Sequence, residues 1–362
     1  MQIIQPRRVH PWKMLWVLAV LLALFIHLAR RDRPGPRNPA WTGQTMGTLY
    51  TVRLAGSPLT ARQLEALQAD IENCLDEVNR QMSHYRPDSE LSRFNRSTST
   101  GPFKVSEPFA RVTRFAVELC GRSDGAFDPT LGPLINRWGF GPDGRPERQP
   151  ADEEIAALLT ITGCGHLRVT DHSELQKDIP GLELNLSAVA KGFGADEVAR
   201  VVLARGVTNV FVEIGGEVAA FGLNEHGGRW RVGIETPEPD LLPGAAIEAI
   251  AEISGNAIAT SGDYRNYAED AAGRRYSHIL DPRTGYPIRH NLASVSVVAP
   301  DCMTADALAT TVFVMGPEDG LRFVESWPGA EAFLLVREPD GTFTPMASSG
   351  FEALTGVRLV PK

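Results

Sequence analysis

Between residues 210 and 298 the chain reads as short strands broken by Gly, Asp and Pro, with no amphipathic helix between successive strands. A parallel sheet needs a crossover, usually helical, between its strands, so this pattern disfavours a doubly wound architecture. The strand-like runs are 210–214, 230–234, 247–253, 275–280 and 293–298. Helical periodicity gathers on either side of them. Behind a strand at 48–54, Leu64, Leu67, Ile71, Leu75 and Val78 recur at 3.6-residue spacing. Ser106 caps a second helix, with Pro108 in its first turn and Phe109, Val112, Ala116 and Leu119 facing inward. A third helix falls near 152–159, and a strand at 182–186 feeds a fourth at 188–205, ended by Gly206. Beyond residue 300 come a helix at Thr304, another near 318–324, and strands at 332–336 and 342–346. The expectation is an α+β protein, a single elaborate mixed α/β domain over 41–362 without internal repeat or central linker.

With 362 residues, 43% hydrophobic and 22% charged, the chain can build a large core. Residues 1–38 carry seven Lys or Arg against Asp32 alone, so a net charge of -8 leaves -14 for the remainder (-8 minus +6). An acidic body of this kind excludes the basic face that a nucleic-acid binder needs.

Residues 14–29 form an apolar run interrupted only by His27, between Arg7, Arg8 and Lys13 on one side and Arg30, Arg31 and Arg33 on the other. The run is shorter than a full span of about 20 residues and lacks a small-x-small cleavage site, which favours an uncleaved signal anchor. Residues 1–13 are then a basic cytoplasmic segment, 14–29 a single-pass transmembrane anchor, and 30–40, with Pro34, Gly35, Pro36 and Pro39, a stiff linker. Cys74, Cys120, Cys164 and Cys302 show no CxxC or Cys/His spacing. Cys74 and Cys120 fall on apolar helix faces as small core residues, Cys164 and Cys302 are candidates for free thiols, and pairing among the four stays open.

Chemistry points first to 303–310, where Asp306 and Thr310 lie four residues apart on one helix face. Two oxygens so placed can hold one hard cation such as magnesium; alternatively Thr304 caps the helix and Asp306 complements its dipole. Lys191 sits in the first turn of a helix, where a cation opposes the dipole and an anionic ligand would explain it. Thr45-Met46-Gly47-Thr48 places a tight glycine at a strand start, and Tyr85 is the aromatic of a polar loop on which a flat ring could stack. Asp124-Gly125-Ala126-Phe127-Asp128 is a glycine-led turn bearing a carboxylate. His278 arrives on a strand beside an Asp-Pro turn, either as a structural residue or as a general base near a phosphoanhydride. Neither a GxxxxGK phosphate loop nor a GxGxxG fingerprint is present, the pair Gly215-Gly216 included.

Thr-Met-Gly-Thr at 45–48, Gly-Ala-Phe-Asp-Pro at 125–129, Ala-Val-Ala-Lys-Gly at 188–192, Thr-Ser-Gly-Asp-Tyr at 260–264, Ser-His-Ile-Leu-Asp-Pro-Arg-Thr-Gly at 277–285 and Ala-Asp-Ala-Leu-Ala-Thr at 305–310 together resemble the ApbE family of FAD:protein FMN transferases, in family order from about residue 42 to about residue 350. The resemblance implies that FAD is cleaved at its pyrophosphate, AMP leaves, and FMN is joined by a phosphoester to a Thr or Ser hydroxyl of a target flavoprotein. It implies FAD contacts at Met46, Tyr85, Ala126, Phe127, Asp128, Asn185, Lys191 and His278, and magnesium held by the Ala188 carbonyl, Asp306 and Thr310. Lys191, Asp306 and His278 would be the catalytic groups. Asn185 departs from the family, which usually has Asp six residues before the lysine, and this puts any second metal there in doubt. Family members act outside the cytoplasmic membrane on respiratory flavoproteins, which implies a periplasmic body anchored to the inner membrane and an acceptor in a respiratory membrane complex. Two other readings fit the same residues: a magnesium-dependent FAD pyrophosphatase that releases free FMN and AMP, and a non-enzymatic, membrane-tethered flavin carrier.

Overall fold

The helix anticipated from Leu64, Leu67, Ile71, Leu75 and Val78 forms at Ala61–Met82, and all five side chains are buried. Thr60 starts it through a reciprocal capping box: its hydroxyl accepts from the Gln63 N–H, and the Gln63 side chain accepts from the Thr60 N–H at 2.9 Å. The computed structural model describes residues 12, 15–22, 34–144, 146, 148–238, 244–264, 267–269 and 275–360.

The frame is an eight-stranded sheet of β1 (Ala40–Thr45), β2 (Thr48–Leu54), β3 (Val210–Ile214), β4 (Glu217–Phe221), β5 (Asn256–Gly262), β6 (Leu292–Ala299), β7 (Glu331–Arg337) and β8 (Phe343–Ala347). The strands lie side by side in chain order, and every neighbouring pair is antiparallel. The mixed, non-parallel architecture expected from the sequence is therefore the one found. Three helices cover one face: α1 (Ala61–Met82), α2 (Ala190–Ala204) and α3 (Cys302–Met315). Val52, Val212 and Ile214 of the sheet meet Leu67, Ile71, Val198 and Val202 of α1 and α2. On the other face a three-stranded sheet, Trp230–Glu235, Ile247–Ile253 and Arg358–Leu359, packs Trp230, Ile234 and Ala251 against Val218, Ile258 and Phe333. The helix Glu107–Arg122 lies outside α3, whose Leu308 and Val312 join one core with Val112 and Leu119. Enclosed in this way, α3 is buried almost all round, as an apolar helix must be.

Several local expectations are corrected. Strands β1, β4 and β5 were not anticipated; β4 and β5 are short, alanine-containing runs that lie under α2 and α3. Residues 182–186 do not form a strand, since only Glu183 makes a bridge, to Leu131. The backbone there is held by side chains instead: Asn95 bonds the Leu184 N–H and carbonyl at 2.8 and 2.9 Å, and the Lys177 ammonium donates to the Leu182 carbonyl at 2.9 Å. The strand expected at 275–280 breaks at His278, where the Ser277 hydroxyl accepts from the Ile279 N–H at 3.0 Å and so competes with ladder pairing. The cap of α3 is Asp301, which accepts from the Thr304 N–H at 2.8 Å; Thr304 itself lies inside the helix.

Cys120 is not a simple core thiol, and Cys164 is not free: the two form a disulfide between the helix Glu107–Arg122 and the short turn Cys164–His166. Cys302 is a buried free thiol as expected, and Cys74 is free and half-buried. The linker is docked from Pro34 onward, since Pro34 bridges Thr60 and the Gly35 N–H donates to the Leu59 carbonyl at 3.1 Å. Residues 15–22 are helical and exposed, while residues 1–11, 13–14 and 23–33 of the predicted basic segment, anchor and linker lie outside the described residues. Among the described residues no helix is long and apolar enough to cross a membrane.

Candidate active site

A glycine brings α2 and α3 into contact. The Gly192 N–H donates to Asp306 Oδ2 at 2.9 Å, and a Cβ on Gly192 would collide with the Cys302 carbonyl. Asp306 is buried on the second turn of α3, with Thr310 half-buried one turn further on. Thr310 Oγ1 lies 3.1 Å from the Ser261 hydroxyl on β5. Ala188 stands in the turn before α2, which begins at Ala190 and not, as expected, at 188.

Lys191, in the first turn of α2, reaches Glu217 at the start of β4 with Nζ 2.6 Å from Oε1. Glu217 was not anticipated, although a lone carboxylate between Gly215-Gly216 and an apolar run was its signal. Glu217 is only 2% exposed, and its Oε2 has no hydrogen-bond partner among the described residues. Burial pushes the Glu217 carboxyl up to about 7 against the pull of Lys191, and it pushes the Asp306 carboxyl up as well. For Lys191 burial works downward, yet the facing carboxylates Glu217 and Asp306 outweigh it and hold the ammonium above its ordinary range. Two buried carboxylates and one half-buried ammonium thus form a single electrostatic group.

Of the other predicted FAD contacts, Met46 packs on α2, and the segments of Tyr85 and Phe127 touch the residues just before it. Met46, at φ +49° in the hairpin between β1 and β2, points its thioether at α2, where a Cβ on Gly194 would fall 2.9 Å from Met46 Cε. Tyr85 is 64% exposed, so its ring is open to stacking. Its neighbour is His84, with ring centroids 4.2 Å apart, and His84 Nδ1 approaches the Ser187 hydroxyl at 3.5 Å. Burial holds the His84 imidazole down at about 4. Ala126 and Phe127 are buried, and the turn they begin is joined to the 185–188 segment by the Asn185 N–H donating to the Pro129 carbonyl at 2.8 Å. The Asn185 side chain accepts from the Ser187 N–H at 2.9 Å and so shapes that turn.

Asp128 is already engaged. Its Oδ1 accepts from the Thr130 hydroxyl at 2.6 Å and N–H at 2.8 Å, and its Oδ2 accepts from the Cys164 N–H at 3.3 Å. His278 lies on the bend after the strand Arg275–Ser277, edge-on to Phe140 with centroids 6.1 Å apart. Carboxylate and hydroxyl oxygens one turn apart on α3, at Asp306 and Thr310, are of the chemical kind that a hard divalent cation takes.

The model of the ApbE family matches residues 46–334. An FAD:protein FMN transferase of Vibrio cholerae is 46% identical over 337 residues, 93% of this chain and 98% of the relative, and that of Escherichia coli K12 is 38% identical over 339 residues, 91% and 95%. The solved flavin transferase ApbE of Vibrio cholerae superposes with a TM-score of 0.79 at 45% identity, covering 87% of this chain and 98% of that one. The apo flavinyl transferase ApbE of Pseudomonas stutzeri gives 0.78 at 40% identity, covering 88% and 97%. Matched in sequence, length and architecture, the chain belongs to the ApbE family.

Proposed function

We propose that this protein transfers FMN from FAD to a Thr or Ser hydroxyl of a target flavoprotein in a magnesium-dependent step that releases AMP. Membership in the enzyme class, FAD:protein FMN transferase, follows from relatives of that name matched over almost their whole length. The observation that carries the finer reading is the meeting of Asp306 and Thr310 on α3 with Lys191 on α2, below a turn that contains Ala188. Ala188, Asp306 and Thr310 would hold the cation, which supplies Lewis-acid stabilisation of charge on the pyrophosphate. Lys191 adds a fixed positive charge beside the phosphates, at a helix start whose N–H groups also favour anions. Tyr85 stacks on the isoalloxazine, while Met46 and the 126–128 turn close around the flavin. Asn185 shapes the turn that presents Ala188. His278 contacts the phosphates or takes the proton of the incoming hydroxyl.

The same reading has the body in the periplasm, tethered to the inner membrane by 14–29, and acting on a subunit of a respiratory membrane complex. Leu15, Trp16, Val17, Leu18, Leu21 and Leu22 are exposed apolar residues on the described part of that segment, and the Cys120–Cys164 disulfide favours an oxidising compartment. The test is Asp306→Ala with FAD, magnesium and a threonine-bearing acceptor. Loss of the FMN mass on the acceptor is expected from a variant that still folds, with a lowered melting temperature because the Gly192 N–H loses its acceptor; near-normal transfer would remove Asp306 from the metal site. FMN that appears free in solution whether or not acceptor is present would identify a pyrophosphatase instead.

A further inference from the structure

The Lys191 ammonium lies within the electrostatic reach of two buried carboxylates and is bonded to only one of them. It pairs with Glu217 at 2.6 Å, while Asp306 accepts from the Gly192 N–H at 2.9 Å. Asp306 is the carboxylate assigned to the cation, so a lysine paired with it would occupy the position the cation needs. Glu217 prevents this from a rigid place: it opens β4 directly after a glycine pair, is buried, and spends one oxygen on Lys191 while the other has no partner. A buried carboxylate with an unpaired oxygen is costly.

We propose that Glu217 is a positioning residue that holds Lys191 away from Asp306 and thereby keeps Asp306 available to a divalent cation. The inference rests on the magnesium reading of Asp306 and Thr310. With Glu217 and Asp306 both ionised and Lys191 protonated, the group carries one net negative charge, which a divalent cation reverses. Without the Glu217 charge, the nearest carboxylate left for Lys191 is Asp306, and lysine and metal compete for it.

The experiment measures magnesium and manganese binding to the full chain by calorimetry and by metal-induced shifts in melting temperature. The variants are Glu217→Gln, Lys191→Met and the double variant Lys191→Met/Glu217→Gln. Glu217→Gln, which keeps the side-chain shape, is expected to weaken metal binding roughly 10–100-fold, the usual range for groups that orient a metal ligand. The double variant is expected to regain most of that loss, because the competing ammonium is gone. A purely structural glutamate would give the opposite pattern, with the double variant no better than Glu217→Gln, and that result overturns the proposal. Unchanged metal affinity in a folded Glu217→Gln protein overturns it too. Failure of the unmodified protein to bind either metal would overturn the magnesium reading itself and this inference with it, a result distinguishable from the other two.

Discussion

The Gly192 N–H and Asp306 Oδ2, 2.9 Å apart, join the first turn of one helix to the second turn of another, at a point where a glycine lets the Cys302 carbonyl come close. A methyl group on Gly192 would meet the Cys302 carbonyl and lie 2.8 Å from Asp306 Cβ. Gly192→Ala is therefore expected to destabilise the protein by about 1–3 kcal/mol through overpacking, and to weaken magnesium binding because Asp306 shifts. Thermal unfolding with and without magnesium checks both; a variant with unchanged melting would show that the helices separate freely.

Lys177 is fully buried and donates to the carbonyls of Leu182 at 2.9 Å, Phe94 at 3.4 Å and Asn95 at 3.5 Å. Lys177→Met leaves those acceptors without their donor, at an expected cost of about 1–3 kcal/mol. Faster amide exchange along 182–188 in the variant would place the damage in the segment that leads to Ala188.

The Cys120–Cys164 disulfide closes a loop over a sequence separation of 44 residues. Cys120→Ser/Cys164→Ser, or reduction of the native protein, is expected to lower stability by about 2–4 kcal/mol. The Cys164 N–H bonds Asp128 and the Gly163 N–H bonds the Thr130 hydroxyl at 2.7 Å, so the flavin-facing turn should loosen as well. A raised KM for FAD under reducing conditions, with kcat nearly unchanged, is the expected kinetic signature.

Burial lowers the His84 imidazole from 6.5 to about 4, so the folded state disfavours its protonation. A depressed folded value means the contribution is complete above pH 6.5 and is lost as pH falls toward 4. Unfolding midpoints measured from pH 7.5 down to 4 should decline, and the decline should be shallower in His84→Asn. An equal slope in the two proteins would show that His84 does not respond to acid in this way.

Much of the frame was legible because strong periodicity leaves few alternatives. The strand at 48–54 and the helix at 152–159 appear with the limits the sequence implied, and the apolar stripe of α1 faces the core in full. The regions that misled did so for physical reasons. Leu182, Leu184 and Leu186 alternate as strand residues do and are all buried, yet the Leu182 carbonyl bonds to Lys177, the Leu184 backbone to the Asn95 side chain and the Asn185 N–H to the Pro129 carbonyl, contacts that no local pattern encodes. β5 reads Asn-Ala-Ile-Ala-Thr-Ser-Gly, poor in strand formers, because it passes beneath a closely packed helix. At the site, the pairing of Asp306 with Thr310 follows from helical spacing alone. Glu217 escaped notice because its meaning depends on Lys191, 26 positions away in the chain (217 minus 191).

Since β2 and β3 are adjacent lanes of the sheet, the whole stretch from 55 to 209 is a single excursion that departs from one lane and comes back beside it. Tyr85, the 126–128 turn, Asn185, Ala188 and Lys191 all ride on that detour, while strand register is written elsewhere in the chain. Lengthening such a detour adds little entropy of closure. The loops that carry the proposed flavin contacts can thus change in length without altering the order of the strands.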